Sequence, residues 1–276
     1  MDVSIVSITR FHPHYVERVS KALDVCQTAV PDLRVEHIMV NNGATLKNGR
    51  TEPGTLAAKA GGWRVLVPGY NSSYSEANNL GASAGSGEYL LLLNDDAIPE
   101  PGFLAKLWEH RLDADLIGGL QLYGPNTHPE HGEKWKDLCN HAGGHLVPYP
   151  DHSGRWEPRG AFEGRGVLAT SWVTGAVFFL RRDLYLGLGG LDESYFYSCE
   201  DSDFCCRLLE KGGSIGVNTS AVSEHSELGT RTGAEDNGNQ RIFFGRWKAK
   251  LPDLAERAKA NWAAGGLTGR SGARSR

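Results

Sequence analysis

The sequence has few cysteines, little charge imbalance and no long apolar run, and each shortage excludes a class of protein. Its five cysteines include no CxxC pair, and Cys205 and Cys206 are adjacent, which argues against a disulfide framework and predicts a reducing, cytoplasmic location. A formal net charge of -4 provides no field that would gather nucleic acid. The longest apolar runs fall far short of the roughly 20 residues of a membrane-spanning helix, so any membrane contact would be peripheral.

The residues that are present describe a loop-rich globular protein. Hydrophobic residues make up 40% and charged residues 22% of the 276 residues, and 35 residues are glycine. This length suits one large α/β domain or two closely joined halves. We expect two halves, 1–122 and 123–250, followed by a flexible Gly- and Arg-rich tail over 251–276, and no N-terminal signal peptide. The oligomeric state stays open.

Apolar patterning predicts an alternation of strands and helices. The predicted strands cover 3–8, 35–40, 63–67, 88–93 and 173–180, and the predicted helices cover 16–30, 75–84, 201–211 and 239–250. Such an alternation is typical of a mostly parallel, Rossmann-like central sheet with helices on both faces. A Gly-, Pro- and His-rich stretch over 123–170 interrupts it and indicates a functional loop region or a smaller subregion.

Polar side chains follow three of the predicted strands. Thr9 and Asn41 follow the first and second strands, and Asn94, Asp95 and Asp96 follow the fourth. Ligands of such sheets bind at the carboxyl ends of the strands. Paired carboxylates there could bind a hard divalent cation together with substrate phosphates. Period-two alternation would turn Asn94 and Asp96 to one side and Asp95 to the other, whereas the alternative is a plain polar turn.

Three further acids crowd the start of the predicted helix over 201–211. Glu200, Asp201 and Asp203 would be stabilised by the helix dipole, and Asp201 could simply be an N-cap. A carboxylate that faces a cleft from this position could instead act as a general base toward a hydroxyl group. His225 is a candidate metal ligand only in the company of these acids, because a lone histidine is more often structural.

Histidine and tryptophan are concentrated between residues 128 and 172. The candidates for a zinc site are His128, His131, Cys139, His141, His145 and His152. Their spacing fits no tetrahedral template, and we expect them to line or brace the long loop of this region instead. Trp135, Trp156 and Trp172 could stack on the ring of a ligand, although buried aromatic side chains are the commoner outcome.

Several segments, in this order and spacing, resemble the family-2 inverting glycosyltransferases of GT-A fold, particularly the rhamnosyl- and galactofuranosyltransferase-like branches. The segments are NNLGASAGSGEYLLLLNDDAIPEPGFL, WVTGAVFFLRRDLYLGLGGLDESYFYSCEDSDFCCRLLEKG and VSEH. The resemblance covers roughly residues 3–230. It implies that residues 1–122 bind a nucleotide-diphosphate sugar and that residues 123–250 bind a glycan or another hydroxyl-bearing acceptor and catalyse transfer.

The resemblance also implies roles for individual residues. Asp96 matches the last acid of the family's metal and nucleotide motif, with Asn94 and Asp95 before it. His225 matches a histidine that completes the metal site in several members. Asp201 matches the aspartate taken as the catalytic base, with Glu200 beside it. The implied cofactor is Mn²⁺ or Mg²⁺, and imidazole favours Mn²⁺.

The matches on the nucleotide side are less complete. Asn79 and Gly81 match an N-x-G segment that precedes the metal strand. Asn41 stands where the family often has an aspartate that recognises the nucleotide base. Arg10 with its neighbour replaces a tyrosine-asparagine pair, so the positive charge of Arg10 is expected near the nucleotide. Thr9 is expected in the same site. Two alternatives stay open, a nucleotidylyltransferase of similar fold and a non-catalytic module that binds nucleotide sugars.

Overall fold

A sheet of ten strands organises the computed structural model, which describes residues 1–10, 12–42, 53–124, 132–146, 151–226 and 233–267. The strands are β1 (Val3–Thr9), β2 (Val35–Asn41), β3 (Arg64–Leu66), β4 (Tyr89–Leu93), β5 (Ala97–Pro99), β6 (Leu116–Tyr123), β7 (Cys139–His141), β8 (Gly144–His145), β9 (Asp151–His152), β10 (Val167–Ala169), β11 (Val177–Arg181) and β12 (Ile215–His225). Strands β8 and β9 form a separate hairpin.

Helices connect most of these strands. They are α1 (Pro13–Thr28), α2 (Pro53–Ala60), α3 (Tyr74–Ala84), α4 (Phe103–Glu109), α5 (Gly132–Trp135), α6 (Arg182–Gly187), α7 (Glu200–Glu210), α8 (Gly233–Trp247) and α9 (Leu251–Ala264), with one 3₁₀ turn at Arg159–Phe162. The alternation predicted for the first half is therefore confirmed, and α1 buries Val16, Val19, Leu23 and Cys26, although it ends two residues before the predicted end at residue 30. None of the helices in the described part is long and apolar enough to cross a membrane.

The strand order brings chain-distant segments to one edge of the sheet. The order is β10-β12-β6-β11-β4-β1-β2-β3, and β5 pairs with β12. Neighbours in the group β4-β1-β2-β3 are parallel, β11 is antiparallel to both β4 and β6, and β12 is parallel to β6. The predicted α/β class is confirmed, and the expected boundary at residue 122 falls inside β6.

Close packing between α3 and β1 depends on a glycine. A Cβ atom added at Gly81 would lie 2.3 Å from Cγ1 of Val6, well inside van der Waals contact. The helix can therefore lie directly on the strand only because this position has no side chain. The close approach fixes the position of α3, whose first turn carries Tyr74.

The end of the chain differs from the prediction of a flexible tail. Residues 251–264 form α9, and residues 268–276 lie outside the described residues. Leu251 and Leu254 are buried, and Asn261 donates hydrogen bonds to the carbonyls of Leu209 and Gly213. Pattern reading missed the helix because the Gly- and Arg-rich end dominated the composition of the segment.

Candidate active site

The three residues after β4 form a turn rather than a continuation of the strand. The amide of Ala97 donates to the carbonyl of Asn94, and the strand ends at Leu93. The predicted alternation of side chains is therefore wrong here, since Asn94, Asp95 and Asp96 all line one cavity. Burial and the neighbouring charge of Asp96 raise the pKa of Asp95 well above its usual value. Among the described residues, Oδ2 of Asp95 is buried without a hydrogen-bond partner.

Strand pairing brings His225 to this turn across more than a hundred residues of chain. The last residues of β12 pair with β5, so that His225 lies opposite Ala97, and the Ser226 amide donates to the Asp96 carbonyl. Nε2 of His225 is 3.5 Å from Oδ1 of Asp96. Nδ1 of His225 is buried and has no hydrogen-bond partner in the described part of the chain.

A short chain of hydrogen bonds connects the turn to the start of α7. The Tyr74 hydroxyl lies 2.7 Å from Oδ1 of Asn94 and 2.9 Å from the carbonyl oxygen of Gly175. The amide of Gly175 donates to Oδ2 of Asp201 over 3.0 Å. Burial and the charges of Glu200 and Asp201 raise the pKa of Tyr74 well above its usual value, so this hydroxyl keeps its proton.

Two adjoining cavities surround this chain of contacts. The strand-end cavity has a volume of about 150 Å³ and is lined by Thr9, Arg10, Asn42, Ser72, Asp95 and Asp96, among others. The helix-start cavity has a volume of about 290 Å³ and its lining includes Asn140, His152, Trp172, Glu200, Asp201 and Phe243. Tyr74, Asn94, Tyr197 and His225 line both cavities. The predicted carboxylates of the two motifs therefore line two adjoining cavities, which together are called the cleft.

The third acid of the helix start has a structural position. Asp203 is fully buried and accepts hydrogen bonds from Arg207, Arg246 and the indole of Trp247 at 2.7 to 2.8 Å. Arg246 also contacts Asp192 at 2.6 Å. These contacts fasten α7 to α8, and Gln240 and Phe243 of α8 line the helix-start cavity. Asp203 thus fixes the helix that presents Asp201.

Some residues predicted for the nucleotide site lie where they were expected, and two do not. Thr9 and Arg10 line the strand-end cavity. Asn41 ends β2 beside Thr9, but its amide donates to Thr55 of α2, and neither cavity includes it in its lining. Asn79 lies on α3 and lines neither cavity. Its Nδ2 atom donates to the carbonyl of Leu191, and its Oδ1 atom accepts from the Leu191 amide and the Tyr185 hydroxyl.

The placement of Asn79 and Asn41 corrects their expected roles. Asn79 braces the loop after α6, because its side chain satisfies both the amide and the carbonyl of Leu191. The residue that lines the strand-end cavity after β2 is Asn42. Its Nδ2 atom donates to the Ser72 carbonyl and its Oδ1 atom accepts from the Ser72 amide, each at 2.7 Å. Asn41 and Asn42 both lie at the end of the second predicted strand, and the sequence alone does not tell which of them faces the cavity.

Sequence reasoning also missed the aromatic and hydroxyl side chains of the cleft. Tyr15 and His12 line the strand-end cavity from the start of α1, and Tyr74 and Tyr197 lie between the cavities. The sequence offers no motif for Tyr74, because only the hydrogen bonds to Asn94 and Gly175 reveal its position. An N-cap at Ser73, which accepts from the Glu76 amide, was the one local signal nearby.

The predicted zinc candidates do not form a cluster in the described residues. His128 and His131 lie outside the described residues, Cys139 is buried and His145 is exposed. His141 and His152 are paired, with 3.0 Å between their Nδ1 atoms. Of the tryptophans, Trp172 lines the helix-start cavity, whereas Trp135 and Trp156 pack around Tyr123.

A divalent cation fits the strand-end cavity only with help from a substrate. Within the described ranges, no three His, Cys, Asp or Glu side chains are grouped so as to hold a metal ion by themselves. Asp96 and His225 nevertheless face each other at 3.5 Å beside the unpartnered carboxylate oxygen of Asp95. Such a sparse donor set suits an ion that is also bound by phosphate oxygens.

Comparisons with known proteins show the family of the chain. The model of glycosyl transferase family 2 matches residues 4–166, and the chain belongs to this family, a class of enzymes. The chain is 28% identical over 219 residues to "Uncharacterized protein y4gI" of Sinorhizobium fredii, covering 76% of this chain and 23% of that protein. It is 26% identical over 235 residues to "O-antigen biosynthesis protein RfbC" of Myxococcus xanthus, covering 83% and 18%. The chain thus spans about a fifth of each relative.

Proposed function

We propose that the chain transfers a sugar from a nucleoside-diphosphate donor to an acceptor hydroxyl, with a divalent cation and with inversion at the anomeric carbon. The observation that supports the proposal best is that the two cavities adjoin, since His225 lines both, Asp96 lines one and Asp201 lines the other. The donor would occupy the strand-end cavity. The acceptor would enter the helix-start cavity, and the O-antigen biosynthesis named for RfbC favours a glycan.

Asp96 and His225 would hold the cation together with the donor diphosphate, with Asp95 beside them. When bound, the cation would stabilise the negative charge that grows on the leaving diphosphate. The imidazole favours Mn²⁺ over Mg²⁺. Oδ2 of Asp95 is buried and has no hydrogen-bond partner among the described residues, and a cation beside it would relieve that cost.

Asp201 would act as the general base. Oδ2 accepts from the Gly175 amide and Oδ1 accepts from the Ser202 amide at 2.6 Å, so both oxygens are fixed in place. A carboxylate has about four acceptor positions, and the bonds present leave room for a hydroxyl proton. Removing that proton as the hydroxyl attacks is the work of a general base. Attack from the side opposite the diphosphate gives inversion.

The proposal is tested first by a screen of nucleotide sugars. Purified protein is melted with UDP-, TDP- and GDP-sugars in Mn²⁺, Mg²⁺ or EDTA, because a ligand that binds the folded state raises the melting temperature. We expect at least one donor to raise it in Mn²⁺ and not in EDTA.

Turnover of the bound donor then separates the alternatives. Radiolabelled donor is incubated with hydroxyl acceptors, and released nucleoside diphosphate and labelled product are measured. A nucleotidylyltransferase would instead consume a sugar 1-phosphate and a nucleoside triphosphate and release pyrophosphate. Binding without any release of nucleoside diphosphate would contradict transfer and favour a binding module.

A further inference from the structure

One part of the helix-start cavity is built by a segment whose role the motifs leave open. Asn140 on β7, His152 on β9 and Trp172 after β10 all line this cavity together with Asp201. Asn140 is 2% exposed, and its Nδ2 atom has no hydrogen-bond partner among the described residues. A buried amide donor is costly when unpaired, so this position favours a bound molecule that offers an oxygen.

Hydrogen-bond directions around His152 show what this ring can offer. The backbone amide of Thr174 can only donate, so Nε2 of His141, at 3.2 Å from it, must accept. Burial lowers the pKa of His141 well below its usual value, and the neutral ring therefore carries its hydrogen on Nδ1. That hydrogen is donated to Nδ1 of His152 over 3.0 Å. A neutral His152 then has its own hydrogen on Nε2 and is a donor there.

The helix-start cavity thus presents two hydrogen-bond donors together with the carboxylates of Glu200 and Asp201. Nδ2 of Asn140 and Nε2 of His152 can donate, whereas the carboxylate of Asp201 accepts. A simple alcohol offers one oxygen and can satisfy only one or two of these groups. A sugar ring carries hydroxyls on neighbouring carbons, so one hydroxyl can donate to Asp201 while its neighbours accept from the other two residues. The volume of about 290 Å³ is at the small end for ligand sites and suits one sugar residue.

We propose that Asn140 and His152 form the acceptor subsite and that they select a saccharide by donating hydrogen bonds to the oxygens beside the attacking hydroxyl. This inference rests on the proposed transfer of a sugar from the strand-end cavity. His141 fixes the direction of the His152 hydrogen bond through its own bond to Thr174.

The experiment measures acceptor use separately from donor use. The probes are the methyl glycosides of glucose, galactose, mannose and rhamnose, with butanol as a simple alcohol, and the donor is the one found in the melting screen. The variants are Asn140→Ala, Asn140→Asp and His152→Ala. His145→Ala is the matched control, because His145 lies on the same hairpin and is exposed. Saturation-transfer NMR with nucleoside diphosphate and Mg²⁺, which unlike Mn²⁺ is diamagnetic, measures glycoside binding without turnover.

We expect at least one glycoside to bind the wild type and to be glycosylated in preference to butanol. Asn140→Ala and His152→Ala should each raise the KM for that glycoside about tenfold, the effect of one lost hydrogen bond, with the KM for the donor unchanged. Asn140→Asp keeps the shape but replaces the donor with an acceptor, and it should weaken glycoside binding at least as much. His145→Ala should behave as wild type.

The outcomes separate this inference from the proposed function. A wild type that neither binds a nucleotide sugar nor releases nucleoside diphosphate would contradict the proposed function itself. A wild type that uses the donor but shows no glycoside binding, or prefers butanol, overturns the saccharide subsite alone. Wild-type glycoside KM in Asn140→Asp and His152→Ala also overturns it, and the unchanged donor KM verifies that these variants are folded.

Discussion

The two cavities of the cleft differ in how the chain builds them. The strand-end cavity is lined by residues that follow neighbouring parallel strands, and its two acids, Asp95 and Asp96, are adjacent in the sequence. The helix-start cavity is assembled from α7, α8 and the segment 139–172, and its shape depends on contacts between residues far apart in the chain. The first can therefore be read from local motifs, whereas the second depends on a scaffold of buried side chains such as Asp203.

The largest effect should come from Asp201, the proposed general base in the helix-start cavity. Asp201→Asn keeps the shape of the side chain but removes its ability to take a proton, and we expect the rate of transfer to fall by about 10²- to 10⁴-fold. Donor affinity, measured by calorimetry, should stay near wild type because the strand-end cavity is untouched. Glu210→Gln, an exposed acid at the other end of α7, serves as control. If Asp201→Asn lost donor binding instead, Asp201 would be assigned to donor binding and not to the role of general base.

The scaffold of the helix-start cavity should give the next largest effect. Asp203→Ala would leave the charges of Arg207 and Arg246 without their buried partner, which costs about 3–5 kcal/mol of the free energy of unfolding. Urea denaturation measures the loss, with Asp253→Ala on the exposed face of α9 as control. A loss below about 1 kcal/mol would mean that the buried contacts of Asp203 do not hold α7 in place.

The strand-end cavity has a smaller and more specific prediction. Asp96→Ala should weaken Mn²⁺-dependent nucleotide binding by at least about tenfold, since it removes one of the few protein ligands of the ion. Calorimetry in Mn²⁺ and in EDTA separates the metal-dependent part, and Asp24→Ala on the exposed face of α1 is the control. Equal affinity in both variants would remove Asp96 from the metal site. When the glycoside acceptor is saturating, any fall in the rate of transfer by Asp96→Ala should come from its weaker use of the donor.

The sequence predicted the residues of the strand-end cavity better than those of the helix-start cavity, and the reason is physical. Apolar runs that end in polar residues mark strand ends, and the parallel pairing of β4, β1 and β2 then brings those ends together. The turn at residues 94–96 was misread as alternating, because the end of β4 is set by hydrogen bonds to β11 and within the turn. The position of Asn79 could not be read either, since its partners lie more than a hundred residues away.

For the helix-start cavity, the sequence predicted only the acidic residues. Glu200, Asp201 and Asp203 are nearly equivalent as a pattern, yet Asp201 lines the cleft and Asp203 is fully buried. Their separation depends on the rotation of α7 about its axis, which is fixed by Arg246 and Trp247 of a distant helix. Spacing along one helix places residues on different faces but does not tell which face is turned to the ligand.

The smallest predicted effect tests the outer part of this scaffold through pH. The pKa of Asp192 is lowered to about 2, because hydrogen bonds from Ser194 and Arg246 outweigh the burial that would raise it. A lowered pKa stabilises the folded state above the unfolded value near 3.8, and this contribution is lost as the pH falls from about 4 to about 2. Arg246 is 40% exposed, so we expect Asp192→Asn to cost only about 1 kcal/mol at pH 6 and clearly less at about pH 3, measured by urea denaturation. Asp32→Asn, an exposed acid, should show no such difference. A cost that is the same at both values of pH would mean that the carboxylate charge of Asp192 does not hold Arg246, and that α8 keeps its position without this ion pair.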